Sequence, residues 1–566
     1  MRIARAVADV SFRLSMELAG RWAHDRLLRA AEDPESAQRR ILRQILKACR
    51  TTELGRRYRI STIDGVEAFR ARVPICDSET LRGAVDRQIA SGRAVASSSM
   101  PIMYARTSGT TGAPKLIPVT STVLRRLKRA QRIMAYVQHA SLDAFRGSIL
   151  GIGGAVCEEW LRDGTPAGAA TGLIYETMPA PLRAKYLVPP AVFAIADYDL
   201  KYATLARLAV GAGDLSAIAT ANPSTILRLV DVLRNTLPEI VGEIEAGVTP
   251  LLAGLSPETA RSLSLLRSPD PRRAAALQTL LDRRCEVTIA DLWPDLRSVV
   301  TWLGGGCAHA ADRVRRQLPP GARMIDAGYV ASELRGTVVV DADRNLALPL
   351  LQDVFFEFVP VEEWDKGARE TLLLHQLQQG RDYHVIVSTE AGLLRYHMND
   401  VLRAGASIGR TPSLSFIRKG RGVTNITGEK LTEDQVHLAM AEALRSSGVG
   451  ARFYTLVALP ALSRYRAYVE FDAPIGDAGR FQSVLDQAIC RLNIEYSAKR
   501  RSGRLHPLRL AVLRAGAAEA HRRHCVEVKG QRESQLKIPA LLTAEECRFN
   551  FDAHLSTDAP LAVGHS

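Results

Sequence analysis

Between Ala37 and Cys49, apolar residues return at the three-to-four-residue spacing of a helix with one buried face. Val66 to Arg72 repeats the pattern up to Val73-Pro74, and Glu79 to Ile89 predicts a further helix. Residues 1–31 also alternate arginine with apolar positions at helical spacing. They lack a compact apolar run ending in a small-residue cleavage site, so a secretory signal is not expected. Such a stripe serves either a helix packed on its own domain or a helix lying on a membrane surface; packing on the domain is expected. Ala96-Ser-Ser-Ser99 reads as a loop before the short strand Ile102-Met-Tyr104, and a helix is predicted from Ser121 to about Tyr136.

The middle of the chain alternates the two periods. Ser148 to Ile152 and Ala217 to Ala221 read as buried strands, the second feeding a helix from Ser224 to Thr236. Leu280 to Cys285 closes a helical region. Trp293 to Trp302 reads as a turn and a strand that runs into Gly304-Gly305-Gly306, and Val354 to Val359 as a later strand. This alternation predicts an α/β (α+β) fold, with β-sheets flanked by helices in a large N-terminal domain, residues 1–417. Arg418-Lys-Gly-Arg-Gly422 is charged, glycine-rich and short of apolar anchors, as a hinge would be. Beyond it, helices at Glu433–Ser446 and Gly479–Ile494 enclose strands around Phe453–Ala458 and Tyr465–Phe471, predicting a small, mobile C-terminal α+β domain, residues 423–566.

A length of 566 residues with 46% hydrophobic content supports this division into more than one core. The net charge is +15, but the basic residues are scattered among acids and not interleaved with aromatics, so nucleic-acid binding is not expected. Attraction of anionic substrates is a sufficient use for the charge. Eight cysteines stand singly, without metal-ligand or disulfide spacing, which suits a reducing cytoplasm. His521 and His524 beside Cys525 are too weak a grouping to predict zinc. No apolar run is long enough for a transmembrane helix, so stable membrane insertion is not expected.

The most informative local chemistry lies in Tyr104-Ala-Arg-Thr-Ser-Gly-Thr-Thr-Gly-Ala-Pro-Lys-Leu-Ile-Pro118. Its core, Thr107, Ser108, Gly109, Thr110, Thr111 and Gly112, carries only hydroxyls and glycines. Such a loop can turn backbone N–H groups inward around phosphates, with the hydroxyls as further donors. Lys115 adds a mobile point charge. Pro114 before Lys115 and Leu116 after it exclude a Walker A loop. The predicted strand before the loop and helix after it would give an anion-binding setting.

Two further clusters fit nucleotide chemistry. In Asp326-Ala-Gly-Tyr-Val-Ala-Ser-Glu-Leu-Arg-Gly336, small residues around Tyr329 allow a planar base to stack, and Glu333 offers a hard oxygen ligand for Mg²⁺. In Thr389-Glu-Ala-Gly-Leu-Leu-Arg-Tyr-His-Met-Asn-Asp-Val-Leu402, Asp400 is read as an Asp after a strand, where it can accept hydrogen bonds from both ribose hydroxyls. Alone, a Tyr and a Glu near a turn are usually structural, and an Asn-Asp pair commonly caps a loop.

The phosphate loop resembles that of the adenylate-forming superfamily, and its continuation Lys115-Leu-Ile-Pro118 resembles the acyl acid amido synthetase branch, the Gretchen Hagen 3 (auxin-responsive) family, in its bacterial members. Tyr329-Val-Ala-Ser332-Glu333 is similar to the family's Tyr-Ala-Ser-Ser-Glu, and Tyr396-His-Met-Asn-Asp-Val401 to its Tyr-Arg-x-Gly-Asp-Val. Trp293-Pro-Asp-Leu and Gly304-Gly305-Gly306 resemble the segment lining the adenine pocket. Gln535-Leu-Lys537-Ile-Pro539 matches the position of a C-terminal lysine that, in adenylate-forming enzymes, stabilises charge during adenylation. The chain departs from the family at His397 (Arg), Asn399 (Gly) and Ala540 (Arg).

The resemblance implies an ATP- and Mg²⁺-dependent ligase. It would adenylate a carboxylic acid, release pyrophosphate and pass the acyl group to an amine, read as an amino acid. Lys537 and Lys115 are the expected catalytic residues. Thr107, Ser108, Gly109, Thr110, Thr111, Gly112, Gly305, Gly306, Tyr329, Ser332, Glu333, Asp400 and Arg418 would contact the nucleotide, and Glu333 the metal. A monomer acting on small molecules is expected. A thiol acceptor, or a silent family member acting as a binding protein, are the competing readings. No motif identifies the acid or the amine.

Overall fold

The computed structural model describes residues 10–106, 115–284, 286–420, 423–424, 426–427, 429, 431–528 and 538–556. The expected phosphate loop core, Thr107 to Gly112, and Lys537 therefore lie outside the described residues. The chain divides into two compact units. One holds residues 1–303 and 310–416, the other 304–309 and 417–566.

The first unit begins with helical residues 10–15, a π turn at Met16–Gly20, and helix α1 (Arg21–Glu32). Helix α2 (Pro34–Cys49) starts where Asp33 accepts the Ser36 N–H and Pro34 occupies the first turn, a position where proline's missing donor costs nothing. Helices α3 (Gly65–Arg72) and α4 (Ser78–Ser91) follow. Strand β1 (Met103–Arg106) pairs antiparallel with β2 (Leu116–Val119), joining Arg106 to Leu116 in register. Strand β2 thus stands between the Ser/Thr/Gly core in the sequence and the helix that follows. This corrects the expected strand–loop–helix arrangement: helix α5 (Ser121–Leu142) starts only after β2, with Thr120 as its cap.

A parallel sheet follows, built from β3 (Ser148–Ile152), β6 (Leu215–Thr220), β7 (Ser298–Thr301) and β8 (Arg323–Asp326) in that order. The short strands β4 (Glu159–Trp160) and β5 (Pro166–Gly168) instead extend the β1–β2 sheet. Helices α6 (Tyr198–Gly211), α7 (Pro223–Ala246) and α8 (Pro271–Arg283) bury Leu205, Leu229, Leu233 and Leu277 with strand residues Ile218 and Val299 in one core. Helix α7 outruns its expected end at Thr236. Pro238 lies inside it, yet Leu237, Ile240, Val241 and Ile244 keep one face buried, and packing outweighs the lost hydrogen bond.

A hairpin, β9 (Thr337–Asp341) with β10 (Leu346–Pro349), precedes the sheet β11 (Phe355–Pro360), β12 (Asp382–Ser388), β13 (Tyr396–Ile408) and β14 (Thr411–Lys419). Every side chain of β11 is buried, so it reads as a continuous apolar run and not as an alternation. The boundary between the units falls within β14, between Phe416 and Ile417.

The second unit has a small pair, β15 (Val423–Thr424) with β16 (Leu431–Thr432), then helix α9 (Glu433–Ser447). Strands β17 (Ala451–Leu459) and β18 (Arg464–Phe471) pair antiparallel at the centre of a sheet edged by β19 (Arg509–Val512) and β20 (Leu541–Thr543). Helices α10 (Ala478–Leu492) and α11 (Ile494–Arg501) complete it, with Met440, Leu456, Val469, Phe481 and Leu485 in its core. The helix predicted over 479–494 ends at Leu492, and α11 follows it as a separate helix. Asn493 stops the first and caps the second by accepting the Tyr496 N–H.

Candidate active site

Two motifs separated by some seventy residues meet in the first unit. The Tyr329 hydroxyl donates to the Asp400 carboxylate at 2.7 Å. The Tyr396 phenol lies against the Glu333 carboxylate as a hydrogen-bonding partner, within reach of the Asp400 charge as well. Burial, then the neighbouring carboxylates, push both phenols well above their ordinary value, so both remain protonated donors. The result is a pair of phenol–carboxylate contacts in which Asp400 and Glu333 are held as acceptors.

Local structure explains how each group arrives. Tyr329 follows β8, and the turn after it is fastened by Gly336 N–H donating to the Tyr329 carbonyl at 2.7 Å and by the Tyr329 N–H donating to the Thr337 hydroxyl at 2.7 Å. Gly328 has φ +82°, and a side chain there would meet the Thr337 carbonyl, so the turn requires glycine. Arg335 in the same motif donates to the Ala327 carbonyl at 3.1 Å, and burial lowers its guanidinium to about 10.

Asp400 does not follow a strand, as expected, but sits inside β13. The β12–β13 register shifts just there, and Asn399 adopts φ +55°. That is the left-handed conformation for which asparagine is the usual substitute for glycine. We therefore expect Asn399→Gly to leave thermal stability essentially unchanged, whereas Asn399→Val should cost about 1–2 kcal/mol by denaturant titration. Equal stability of the two variants would mean that the left-handed bulge is not needed.

His397 is adjacent to Tyr396 and points the other way, as successive strand residues do. Its ring stacks on Trp364 at 4.2 Å and lies 3.4 Å from the His384 ring nitrogen, and Arg369 also lies over the Trp364 ring at 3.8 Å. The departure from the family's arginine thus falls in a histidine–tryptophan stack away from Asp400, and the carboxylate geometry survives it. The preceding Arg395, also left-handed at φ +46°, is buried and ion-paired with the buried Glu357 at 3.0 Å. It also donates to the Val73 carbonyl at 2.8 Å and so ties β13 to the end of α3.

The Tyr329 ring is 4% exposed and parallel to Phe416 at 6.4 Å. Its hydroxyl holds Asp400, itself 1% exposed. Ser332 and Glu333 are half-buried beside them, and Lys115 is half-buried at the start of β2. Gly305, at φ +56°, and Gly306 form a single 3₁₀ turn with Cys307, assigned with Arg418 to the second unit. Sequence reading missed Tyr396 as a partner of Glu333, although Tyr396 stands in the quoted motif.

Within the second unit, the Glu429 carboxylate accepts from the Ile426 and Thr427 N–H groups, the Thr427 hydroxyl and the Tyr465 hydroxyl at 2.6–2.9 Å. These bonds fix the turn shortly after Arg418. Ala540, where the family has arginine, is buried at the start of β20 and donates its N–H to Glu433 at 2.6 Å. Its methyl group lies in the core, where an arginine has no room to keep its charge in water.

For Mg²⁺ the donor set is thin but suitable. Among the described residues no three His, Cys, Asp or Glu side chains converge as a metal cage. Mg²⁺ commonly needs only one or two carboxylates, the rest of its shell coming from water and substrate phosphates, so Glu333 fits that use.

The chain matches three family models in sequence order. Residues 23–321 match the GH3 family N-terminal domain, 347–419 the GH3 family central domain, and 434–546 the GH3 family C-terminal domain. It is similar to the indole-3-acetic acid-amido synthetase GH3.8 of Oryza sativa subsp. indica, 24% identical over 90% of this chain and 88% of the relative. It is also similar to the 4-substituted benzoates-glutamate ligase GH3.12 of Arabidopsis thaliana, 23% identical over 86% and 89%. The solved GH3.15 acyl acid amido synthetase superimposes with a TM-score of 0.82 at 20% identity, covering 94% of this chain and 95% of that one. A 2-hydroxyisobutyryl-CoA ligase bound to its acyl adenylate shares the fold more distantly, with a TM-score of 0.50 at 15% identity over 84% and 85%. Matched by family models along most of its length, the chain belongs to the GH3 family.

Proposed function

We propose that this chain is an ATP-dependent acyl acid amido synthetase, a ligase that forms a carbon–nitrogen bond through an acyl adenylate. The observation that carries the reading is the meeting of Tyr329 with Asp400 and of Tyr396 with Glu333, in a GH3 chain. In the first step a carboxylate oxygen attacks the α-phosphorus of ATP, and the bond to the leaving pyrophosphate breaks. In the second an amine nitrogen attacks the acyl carbonyl, AMP leaves, and the nitrogen loses a proton. The amine is an amino acid in this reading, as the name of the glutamate ligase suggests for that relative.

Asp400, fixed by Tyr329, accepts from the ribose hydroxyls. The 107–112 loop and Lys115 hold the phosphates by backbone donors and charge. Gly305 and Gly306 line the base, with Ser332 and Arg418 as further nucleotide contacts. Glu333 would hold Mg²⁺, which supplies charge neutralisation at the phosphates when bound. Lys537 acts in adenylation alone. The C-terminal domain, 423–566, is the mobile element that delivers it, turning at the hinge 418–422. The protein works as a monomer in the cytoplasm, which suits cysteines without disulfide spacing in the sequence. No helix among the described residues is long and apolar enough to cross a membrane.

The test is ATP–pyrophosphate exchange over a panel of aromatic and aliphatic carboxylic acids, each with and without mixed amino acids. Acid-dependent exchange together with amide product is expected. Acid-dependent exchange with CoA consumed and no amide would replace the amine by a thiol acceptor. Neither exchange nor ATP binding by calorimetry would make the chain a silent member of its family.

A further inference from the structure

The N-terminal helix is amphipathic twice over. One face is docked. Phe12 and Met16 pack with Ala135, Phe145 and Ile149, and Ala23 and Leu27 enter the main core of the first unit. Phe12 meets the Phe145 ring edge-on at 5.1 Å. Gly20 lets the helix approach α5 so closely that an added side chain would touch Tyr136. The packing expected for this segment is therefore met.

The opposite face carries Val10, Leu14, Leu18 and Trp22, which are 58%, 57%, 71% and 54% exposed. They recur every four residues, and the π turn at Met16–Gly20 keeps them in one row by absorbing the drift of an α-helix. The other large apolar side chains exposed among the described residues are dispersed over other segments, and no other helix carries four. Single exposed apolar residues are ordinary; a continuous row is not.

Basic residues border the row. Arg13, Arg21, Arg26 and Arg29 are exposed. Arg26 lies over the Trp22 ring at 5.3 Å. The acids on this segment are Glu17, near His139 at 3.5 Å, and Asp25, near Arg21 at 3.8 Å. Over residues 10–29 the four arginines exceed these two acids by two charges. A tryptophan and aliphatic row bordered by arginines is the makeup of a helix that lies in the interface of an anionic bilayer. Two copies meeting through this face would instead bring their arginines together.

We propose that this face docks the folded protein on an anionic lipid surface, the helix lying in the headgroup plane and not crossing the bilayer. The occupant is a bilayer with negatively charged headgroups. The apolar row supplies burial and the arginines supply the charge preference.

The experiment is flotation of the full chain with phosphatidylcholine vesicles, with and without a quarter phosphatidylglycerol, at low and high salt. Wild type should float with the anionic vesicles, weakly with neutral ones, and less at high salt. A Leu14→Asp/Leu18→Asp variant should lose at least about tenfold in vesicle affinity, and R13E/R21E should lose the preference for anionic lipid. Both pairs are solvent-facing, so their melting temperatures should stay close to wild type. Failure of wild type to float with anionic vesicles, or floating of the Asp variant equal to wild type, overturns the proposal. So does a dimer in sedimentation velocity that the Asp variant abolishes without any vesicle binding, which would make the face an interface between copies.

Discussion

Asp400→Asn should lower kcat/KM for ATP in acid-dependent pyrophosphate exchange by about 10²-fold, most of it in the ATP requirement. The carboxylate is assigned two charge-assisted hydrogen bonds to the ribose, and such bonds contribute about 1.5–3 kcal/mol each, of which the amide retains a part. Asparagine still offers an oxygen to the Tyr329 hydroxyl, so the local fold should hold. Tyr329→Phe removes only the donor that orients Asp400 and should cost less, several-fold. The order of the two variants matters more than either magnitude. If Asp400→Asn exchanges within threefold of wild type at every ATP concentration, the ribose assignment is wrong. If Tyr329→Phe is the worse of the two, the ring itself contributes contact that its burial conceals. Melting temperatures of both variants must be measured beside the kinetics, because a buried acceptor left unpaired can itself destabilise by about 1–3 kcal/mol.

Much of this site was legible in the sequence because its parts are short runs with distinctive composition. Glu333 and Asp400 stand out as carboxylates among small and apolar residues. Asn399 was readable as a tolerable replacement for glycine, since only a few residue types accept a left-handed backbone, and its φ of +55° agrees. What could not be read is how strands pair. The four-residue β2 carries Pro118, lacks alternation, and gives no signal apart from the helix that follows it. Its existence depends on pairing with β1, a contact between residues that local periodicity does not describe. The same applies to β13. Its bulge at Asn399 looks like a turn in one dimension, and it is a strand only because β12 and β14 lie on either side.

The departures from the family divide by the same logic. His397 stands where the family has arginine, three residues before Asp400, and so bears on the local geometry. Strand geometry turns it to the opposite side, where Trp364 and His384 give it an aromatic setting. Ala540 replaces the family's arginine just after the proline of the lysine motif. Its burial shows a position adapted to the core of the second unit. Neither change removes a group from the Asp400 cluster, so neither argues for a silent protein.

The sharpest test of the mechanism concerns Lys537, the one assigned catalytic group that resemblance alone identifies. Lys537→Ala should depress acyl-adenylate formation by about 10²–10³-fold, the usual cost of removing one preorganised charge from a transition state that gains negative charge. The same variant, given synthetic acyl adenylate and amine, should form amide at a rate within a few-fold of wild type. In that half-reaction AMP departs with its charge already shared by the groups that hold the nucleotide. Lys115→Ala offers the contrast. Its charge is assigned to the β- and γ-phosphates, so its loss should raise the ATP requirement of exchange and leave amide formation from supplied adenylate untouched. Lys537→Arg, which keeps the charge but changes its reach, should recover part of the adenylation rate and none of it through ATP affinity. Equal losses in both half-reactions for Lys537→Ala would mean that the lysine supports the fold or the adenylate site throughout, and the assignment of separate roles to the two steps would fall with it.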